Sequence, residues 1–412
     1  MTAPAPSAPA APAANSGRLM SLDALRGFDM FWILGADALV HALSEVNGSA
    51  VARFFAGQLD HKAWAGFAFY DLIFPLFIFI SGVSLVYSLS KQIERDGRAT
   101  AARHVVTRGV ILFLIGIFYS GGFTNPWPDL RLLGVLQRIA LAYTGAGLLF
   151  CFLKPRALAG AGAALLVGYW ALLTFVPIRD IQLEKKALAA RLGVASPSST
   201  QVQAAFAATT TRVTGKYEPG YNLTNHLDFQ YLPGRKYDTY WDPEGYLSTL
   251  PAIATCLSGV FAGLLLRRSD LEARHKLRQL LIAGAVALAL GWLWHLQFPV
   301  VKKIWTSSFV LVAGGYSLLL LGAFYYIVDI RQWRRWCVPF VWIGMNPITL
   351  YIASNVIRFR VLAQRFVGGD IKAWLDSTIG AGAGQGMLAI VGLGLMFVLA
   401  HFLYRRQIFL RV

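Results

Sequence analysis

The feature that most constrains this chain is a run of apolar residues, about 20 long, that recurs from one end to the other. Ten such runs are read at 23–44, 67–89, 104–122, 131–153, 157–177, 246–266, 277–297, 305–328, 337–356 and 386–405. As an α-helix, each crosses the roughly 30 Å of hydrocarbon in a bilayer. Lipid offers the backbone no hydrogen-bond partner, so a spanning segment must satisfy its own, as a helix does. Only 14% of the 412 residues are charged, where a soluble chain carries about 25%. The expectation is an all-α polytopic membrane protein with about ten transmembrane helices in one bundle. The length would otherwise suggest two or three soluble domains.

The net charge of +17 is compatible with nucleic-acid binding. Membrane proteins, however, collect Lys and Arg on the cytoplasmic side. With the N-terminus inside, 20 basic residues fall on the inner side and 9 in the short outer loops. This predicts a multi-pass membrane protein with both termini cytoplasmic and no nucleic-acid partner. Residues 1–17 are Ala/Pro-rich, lack the basic and apolar regions of a signal peptide, and read as a disordered cytoplasmic tail. The transmembrane domain is expected over 18–412. A long polar loop, 178–245, between the fifth and sixth spans is expected on the periplasmic side, with helix broken at Gly193 and Pro197. Cys151, Cys256 and Cys337 lie in or beside apolar runs with no metal or disulfide spacing, and no metal is expected.

Ionisable groups inside a membrane are costly and are candidates for function. Asp29, Asp37 and His41 would share one stripe of the first helix, with Arg26 one turn before Asp29. An Arg26–Asp29 ion pair that fixes helix packing is the structural alternative. Asp71 opens the second span, where it could cap the helix; Pro75 removes the backbone bond back to it. In the fourth span Gln137 and Arg138 lie deep in apolar sequence. A buried arginine needs an acid, such as Asp29, or an anionic ligand. In the ninth span Asn346-Pro347 breaks the helix and presents a polar side chain; a kink is the structural reading. His61 precedes the second span, and imidazole can exchange a proton near pH 7. Trp64 and Trp127 suit an interfacial belt. Asp242 and Glu244 stand before the sixth span. His61, Asp71, Asp242 and Glu244 could thus converge at one outer mouth and receive an amine or hydroxyl acceptor.

Six stretches occur in order: RLMSLDALRGFDMFWI, HKAWAGFAFYDLIFPLFIFISG, LRLLGVLQRIALAY, YWDPEGYLSTLPAIATCLSGVFAG, PVVKKIWTSSFVLVAGGYSLLLL and WIGMNPITLYI. Together they resemble the heparan-α-glucosaminide N-acetyltransferase family and its bacterial relatives, within the transmembrane acyltransferases. The resemblance implies transfer of an acetyl group from cytosolic acetyl-CoA, across the membrane, to the amine of a glucosamine-type sugar. It implies that the active-site histidine of the motif His-x-x-Trp-x-Gly is His61, with Trp64 and Gly66. It matches Asp71 to Pro75 to a further family motif. An active-site asparagine of the family aligns with Asp37, and the Asn common after the motif Trp is Ala65; at both positions the chain departs from the pattern. The large extracytoplasmic domain of the animal enzymes is not expected here. Under this resemblance His61, Asp71 and Asp37 are the expected catalytic residues. Trp64, Asp242, Glu244 and Asn346 are expected to bind the acceptor, and Arg26, Gln137 and Arg138 to bind acetyl-CoA. The partners are then acetyl-CoA, an amino sugar and the lipid bilayer, with room for a homo-oligomer.

His61 could attack the thioester itself or take a proton from the acceptor. A different class also accounts for broken helices and membrane acids: a secondary transporter for amino sugars or small anions. A structural or signalling membrane protein would not need the stripe of the first span or the Gln137–Arg138 pair.

Overall fold

A computed structural model describes residues 19–124 and 126–409; the expected tail, 1–17, lies outside them. Among the described residues, eight helices are long and apolar enough to cross a bilayer unbroken. They are α4 (Phe69–Asp96), α5 (Arg98–Tyr119), α6 (Val135–Phe152), α7 (Pro155–Phe175), α11 (Thr249–Arg267), α12 (Ala273–His295), α13 (Ser307–Phe324, continued by a π-turn to Ile330) and α18 (Ala383–Arg405). Their positions match eight of the ten expected runs. The first and ninth runs also form helix, but each is broken.

The break in the first run has a local cause. Helix α1 (Met20–Phe31) passes through a π-turn, Trp32–Ala36, into α2 (Asp37–Asn47). Gly35 there has φ of 111°, a conformation open to glycine and costly for other residues. Asp29, Asp37 and His41 therefore lack the common register of an unbroken helix. Asp29 is fully buried, whereas His41 lies 3.6 Å from Asp60. In the ninth run, a 3₁₀ turn (Arg335–Cys337) and α14 (Val338–Met345) meet α15 (Pro347–Ile357) at 72°. Pro347 cannot donate a backbone hydrogen bond and disfavours helical geometry at Asn346. The Asn346 side chain donates to the carbonyl of Ile408 at 2.9 Å, tying the bend to the chain beyond α18. Short helices α3 (Ala50–Gln58), α16 (Phe359–Val367) and α17 (Gly369–Thr378) follow the two broken runs.

The centre of the bundle is a close crossing of α4 and α11. A Cβ placed on Gly82 would lie 2.0 Å from the Cys256 carbonyl oxygen, and one on Gly259 would lie 1.9 Å from that of Phe79. Hydrogen alone fits at both points, so the two backbones touch. In lipid, where apolar side chains gain little by meeting each other, such small-residue contacts supply the packing.

The segment between α7 and α11 is folded. Strands β1 (Ile178–Arg179) and β2 (Arg212–Val213) pair antiparallel, and helices α8 (Lys185–Leu192), α9 (Ser199–Ala208) and α10 (Leu223–Tyr231) pack beside them. Helix α8 ends at Gly193, which takes a left-handed φ of 67°, and Ser198 caps α9. Leu183, Leu188, Val202, Phe206 and Trp241 form a small apolar core of its own. A second core joins Ile178 and Leu223 to Tyr169 of α7 and to Phe298 and Ile304 before α13. This cap covers the end of the bundle that carries His61.

Candidate active site

Beneath the cap, a cavity of about 550 Å³ enters the bundle. Apolar side chains, Met30, Phe77 and Ile139 among them, line much of it, beside the charged or polar groups His61, Arg131, Arg138, Glu244 and Lys302.

Asp71 organises the mouth. It stands in the first turn of α4, where the first backbone N–H groups lack partners inside the helix. One carboxylate oxygen, Oδ2, accepts from the backbone N–H of Ala68 at 3.1 Å and of Lys62 at 3.3 Å. It thereby caps α4 and fixes the loop that bears His61. The other oxygen, Oδ1, lies 3.0 Å from His61 Nδ1 and 3.4 Å from Lys302 Nζ. Lys302 Nζ is also 3.0 Å from His61 Nδ1. An imidazole that donates from Nδ1 to this carboxylate carries its lone pair at Nε2, which lies 3.5 Å from Lys302 Nζ. Asp71 is 1% exposed, whereas the His61 side chain is 54% exposed. The imidazole thus meets solvent while its orienting group does not. Tyr70, with its ring centroid 4.8 Å from that of His61, flanks it.

Across the mouth, Arg131 holds two acids. It forms a two-bond contact with Asp242, at 3.0 and 2.9 Å, and a single bond to Glu244 at 2.8 Å. Burial drives the Asp242 carboxyl up, but the paired bonds from Arg131 outweigh it and hold that group below its ordinary value. Burial also drives Glu244 up, offset in part by Arg138, and it reaches about 7. The division follows the geometry: one guanidinium serves Asp242 with two bonds and Glu244 with one. Deeper, Arg138 is buried with its guanidinium carbon 4.9 Å from the ring centroid of Trp305. It donates to Ser248 Oγ and, at 3.4 Å, to the Gly245 carbonyl.

The structure brings together some of the expected residues and separates others. His61, Glu244 and Arg138 line the cavity, Asp71 lies behind His61, and Asp242 lies behind Arg131. Trp64 is turned into the cap, donating to the Tyr217 carbonyl at 2.8 Å and meeting Trp241 edge to face. Asn346 holds the helix bend, next to the lining residues Pro347 and Ile348. Gln137 is pressed against α5: a Cβ on Gly116 would come within 2.5 Å of its side chain. Arg26 reaches Ser84 at 2.5 Å, the Gly344 carbonyl at 3.1 Å and Asp23 at 3.2 Å, joining α1 to α4 and α14. Arg26 thus pairs with Asp23, and neither Arg26 nor Arg138, for which Asp29 was one possible partner, bonds to the Asp29 carboxylate. Among the described residues, the Asp29 oxygens have no hydrogen-bond partner. Asp37 is outside the cavity wall, within electrostatic reach of Tyr70, which lines it.

Lys302, Arg131 and Tyr70 were not foreseen as site residues. The available signal was Lys302-Lys303 in a short loop between apolar runs, which reads equally well as a solvated pair. Arg131 begins a run whose next polar residues, Gln137 and Arg138, attract attention first.

Residues 18–296 match the family model described as "Heparan-alpha-glucosaminide N-acetyltransferase, catalytic". The chain is similar to the human heparan-alpha-glucosaminide N-acetyltransferase, with 25% identity across 96% of this chain and 60% of the human one. It is similar also to the mouse protein of the same name, with 24% identity across 97% of this chain and 61% of the mouse one. The chain therefore spans about three fifths of the length of these curated relatives. The matched region contains His61, Asp71, Arg131, Arg138 and Glu244, and the chain belongs to the heparan-alpha-glucosaminide N-acetyltransferase family.

Proposed function

We propose that this protein is a membrane acetyltransferase that moves an acetyl group from acetyl-CoA to the amine of a glucosamine-type sugar. The acceptor arrives from the periplasmic side at the His61 mouth, and the donor from the basic, cytoplasmic side. Both termini are cytoplasmic and the bundle lies in the inner membrane. The observation that carries this reading is the buried Asp71 carboxylate 3.0 Å from the Nδ1 of a half-exposed His61, at the mouth of a cavity inside the bundle. The names of the human and mouse relatives support the reaction class.

The chemistry follows from the residues. An amino sugar reaches neutral water as an ammonium ion, which is not a nucleophile. His61 Nε2 accepts one of its protons, and Asp71 stabilises the imidazolium so formed. The freed amine attacks the thioester carbonyl carbon. As the C–S bond breaks, the second amine proton passes to the departing thiolate, giving CoA thiol and the amide. His61 then releases its proton to water. The half-exposure of His61 favours this direct route, since an acetyl-imidazole formed there would be open to hydrolysis. Arg138 lines the inner wall and offers positive charge to the donor, whose nucleotide stays at the basic face.

The test is release of CoA thiol by detergent-purified protein supplied with acetyl-CoA and glucosamine. Wild type should release thiol, and His61→Ala should lose about 10²–10⁴-fold in rate while keeping its thermal midpoint. A folded His61→Ala protein with the wild-type rate removes His61 from the chemistry. The broken helices at Gly35 and Asn346 also suit a transporter. No thiol release, with glucosamine flux in proteoliposomes, would establish that reading instead.

A further inference from the structure

Lys302 sits in a triangle. Its Nζ is 3.0 Å from His61 Nδ1 and 3.4 Å from Asp71 Oδ1, and those two atoms are 3.0 Å apart. Three groups with ionisable character therefore share one small space, two of them able to carry positive charge and one negative. Asp71 is buried, and its second oxygen is already occupied by two backbone N–H groups. A carboxylate so placed draws a counter-charge from whatever stands beside it. If Lys302 supplies that charge, the imidazole need not.

We propose that Lys302 is a positioning residue that neutralises Asp71 and so keeps His61 in its neutral form, able to accept a proton. This inference rests on the acetyltransferase reading for its purpose, but not for its electrostatics. Other charges face the imidazole too. Tyr70 stands beside it on α4, and Lys62 follows it in the loop. Lys303 lines the same cavity from the segment before α13, and Arg131 and Glu244 line it from across the mouth. Asp37 lies beyond Tyr70. Lys303 is drawn off by Asp238 at 3.1 Å, and Arg131 by its two acids. Lys302 is the ammonium whose nitrogen lies within 3.5 Å of both imidazole nitrogens. Burial pushes its own proton affinity down, and Asp71 and then Glu244 push it back up. The pair with Asp71 is what holds its charge.

The consequence has a definite sign. Without the ammonium, His61 alone balances Asp71, and an adjacent opposite charge raises a histidine pKa by about one to three units. Neutral imidazole then appears only at higher pH. The readout is carbethoxylation of His61 by diethyl pyrocarbonate, which modifies neutral imidazole, followed against pH in purified protein with the His61→Ala signal subtracted. Lys302→Met should move the midpoint alkaline by about one unit or more, and Lys302→Arg should leave it near wild type. The double variant Asp71→Asn/Lys302→Met, which removes both charges, should return the midpoint toward wild type. Should Lys302→Met fail to fold, Lys302→Gln takes its place. An unmoved midpoint in the folded single variant overturns the proposal, as does an equal shift in the single and double variants. In active protein the acid limb of kcat/KM should shift in parallel. Failure of acetyl transfer in wild type would count against the enzyme reading alone, because the modification profile needs no substrate.

Discussion

The Asp71 carboxylate uses one oxygen to cap the helix it begins and the other to orient His61, 3.0 Å away. Helix start and imidazole are thus set by a single side chain. Asp71→Asn keeps an acceptor for the cap but places an amide in a site built from donors. One bond must then break, or the imidazole must change tautomer. We expect a loss in kcat/KM of about two to four orders of magnitude, with a fall of a few degrees in the thermal midpoint. Both are read from one purified preparation. Full activity in Asp71→Asn would show that the imidazole needs no orienting group.

What the sequence discloses here depends on range. The apolar runs are legible because bilayer thickness dictates their length, and the bend at Asn346-Pro347 because proline carries its own backbone restriction. The break at Gly35 is not, since a single glycine within a hydrophobic helix is common in membranes. His61 and Asp71 are ten residues apart, and both stand out against apolar neighbours. Lys302 meets His61 across 241 residues, and only the packed bundle makes that contact. Trp64 shows the same limit from the other side. An aromatic beside a motif histidine invites a substrate-binding role, yet its indole is spent on the cap.

Two acids in the cap predict a pH effect on stability. Burial raises Asp228 from an ordinary 3.8, and Glu244 from 4.5, each to about 7. Between the unfolded and folded values the folded protein retains a proton that the unfolded chain releases. Stability from these groups is therefore present at acidic pH and lost as pH rises toward 7, by up to about 4 kcal/mol for Asp228 and about 3 kcal/mol for Glu244. Glu244→Gln carries no titrating proton. The fall in its thermal midpoint between about pH 5 and pH 8 should be smaller than that of wild type. Parallel curves for the two proteins would contradict this.

Arg138 stands over the Trp305 ring, 4.9 Å from its centroid, and donates to Ser248 Oγ. Arg138→Leu removes the buried positive charge that faces Glu244 from below. We expect kcat/KM to fall by about a hundredfold or more, or the folded yield to drop. Arg138→Lys should rescue only in part, because a point ammonium cannot cover the indole and meet the hydroxyl together. Wild-type turnover in Arg138→Leu would exclude it from the site.

Ser196 lies exposed between α8 and α9 in the cap. The three native cysteines are buried and should not compete for a thiol reagent. In intact spheroplasts, Ser196→Cys should react with a membrane-impermeant maleimide added from outside. Labelling only after the membrane is opened would place the cap, and His61 with it, in the cytoplasm.

The apolar depth of the cavity bears on the cell's energy supply. An open aqueous path through an energised membrane would let protons run down the gradient that drives ATP synthesis. Below the charged mouth, Phe77 and Ile139 present hydrocarbon, through which a lone ion pays heavily to pass. An acetyl group carries no charge. Under the acetyltransferase reading proposed above, a site built this way can pass an acyl group while remaining an electrical insulator between turnovers.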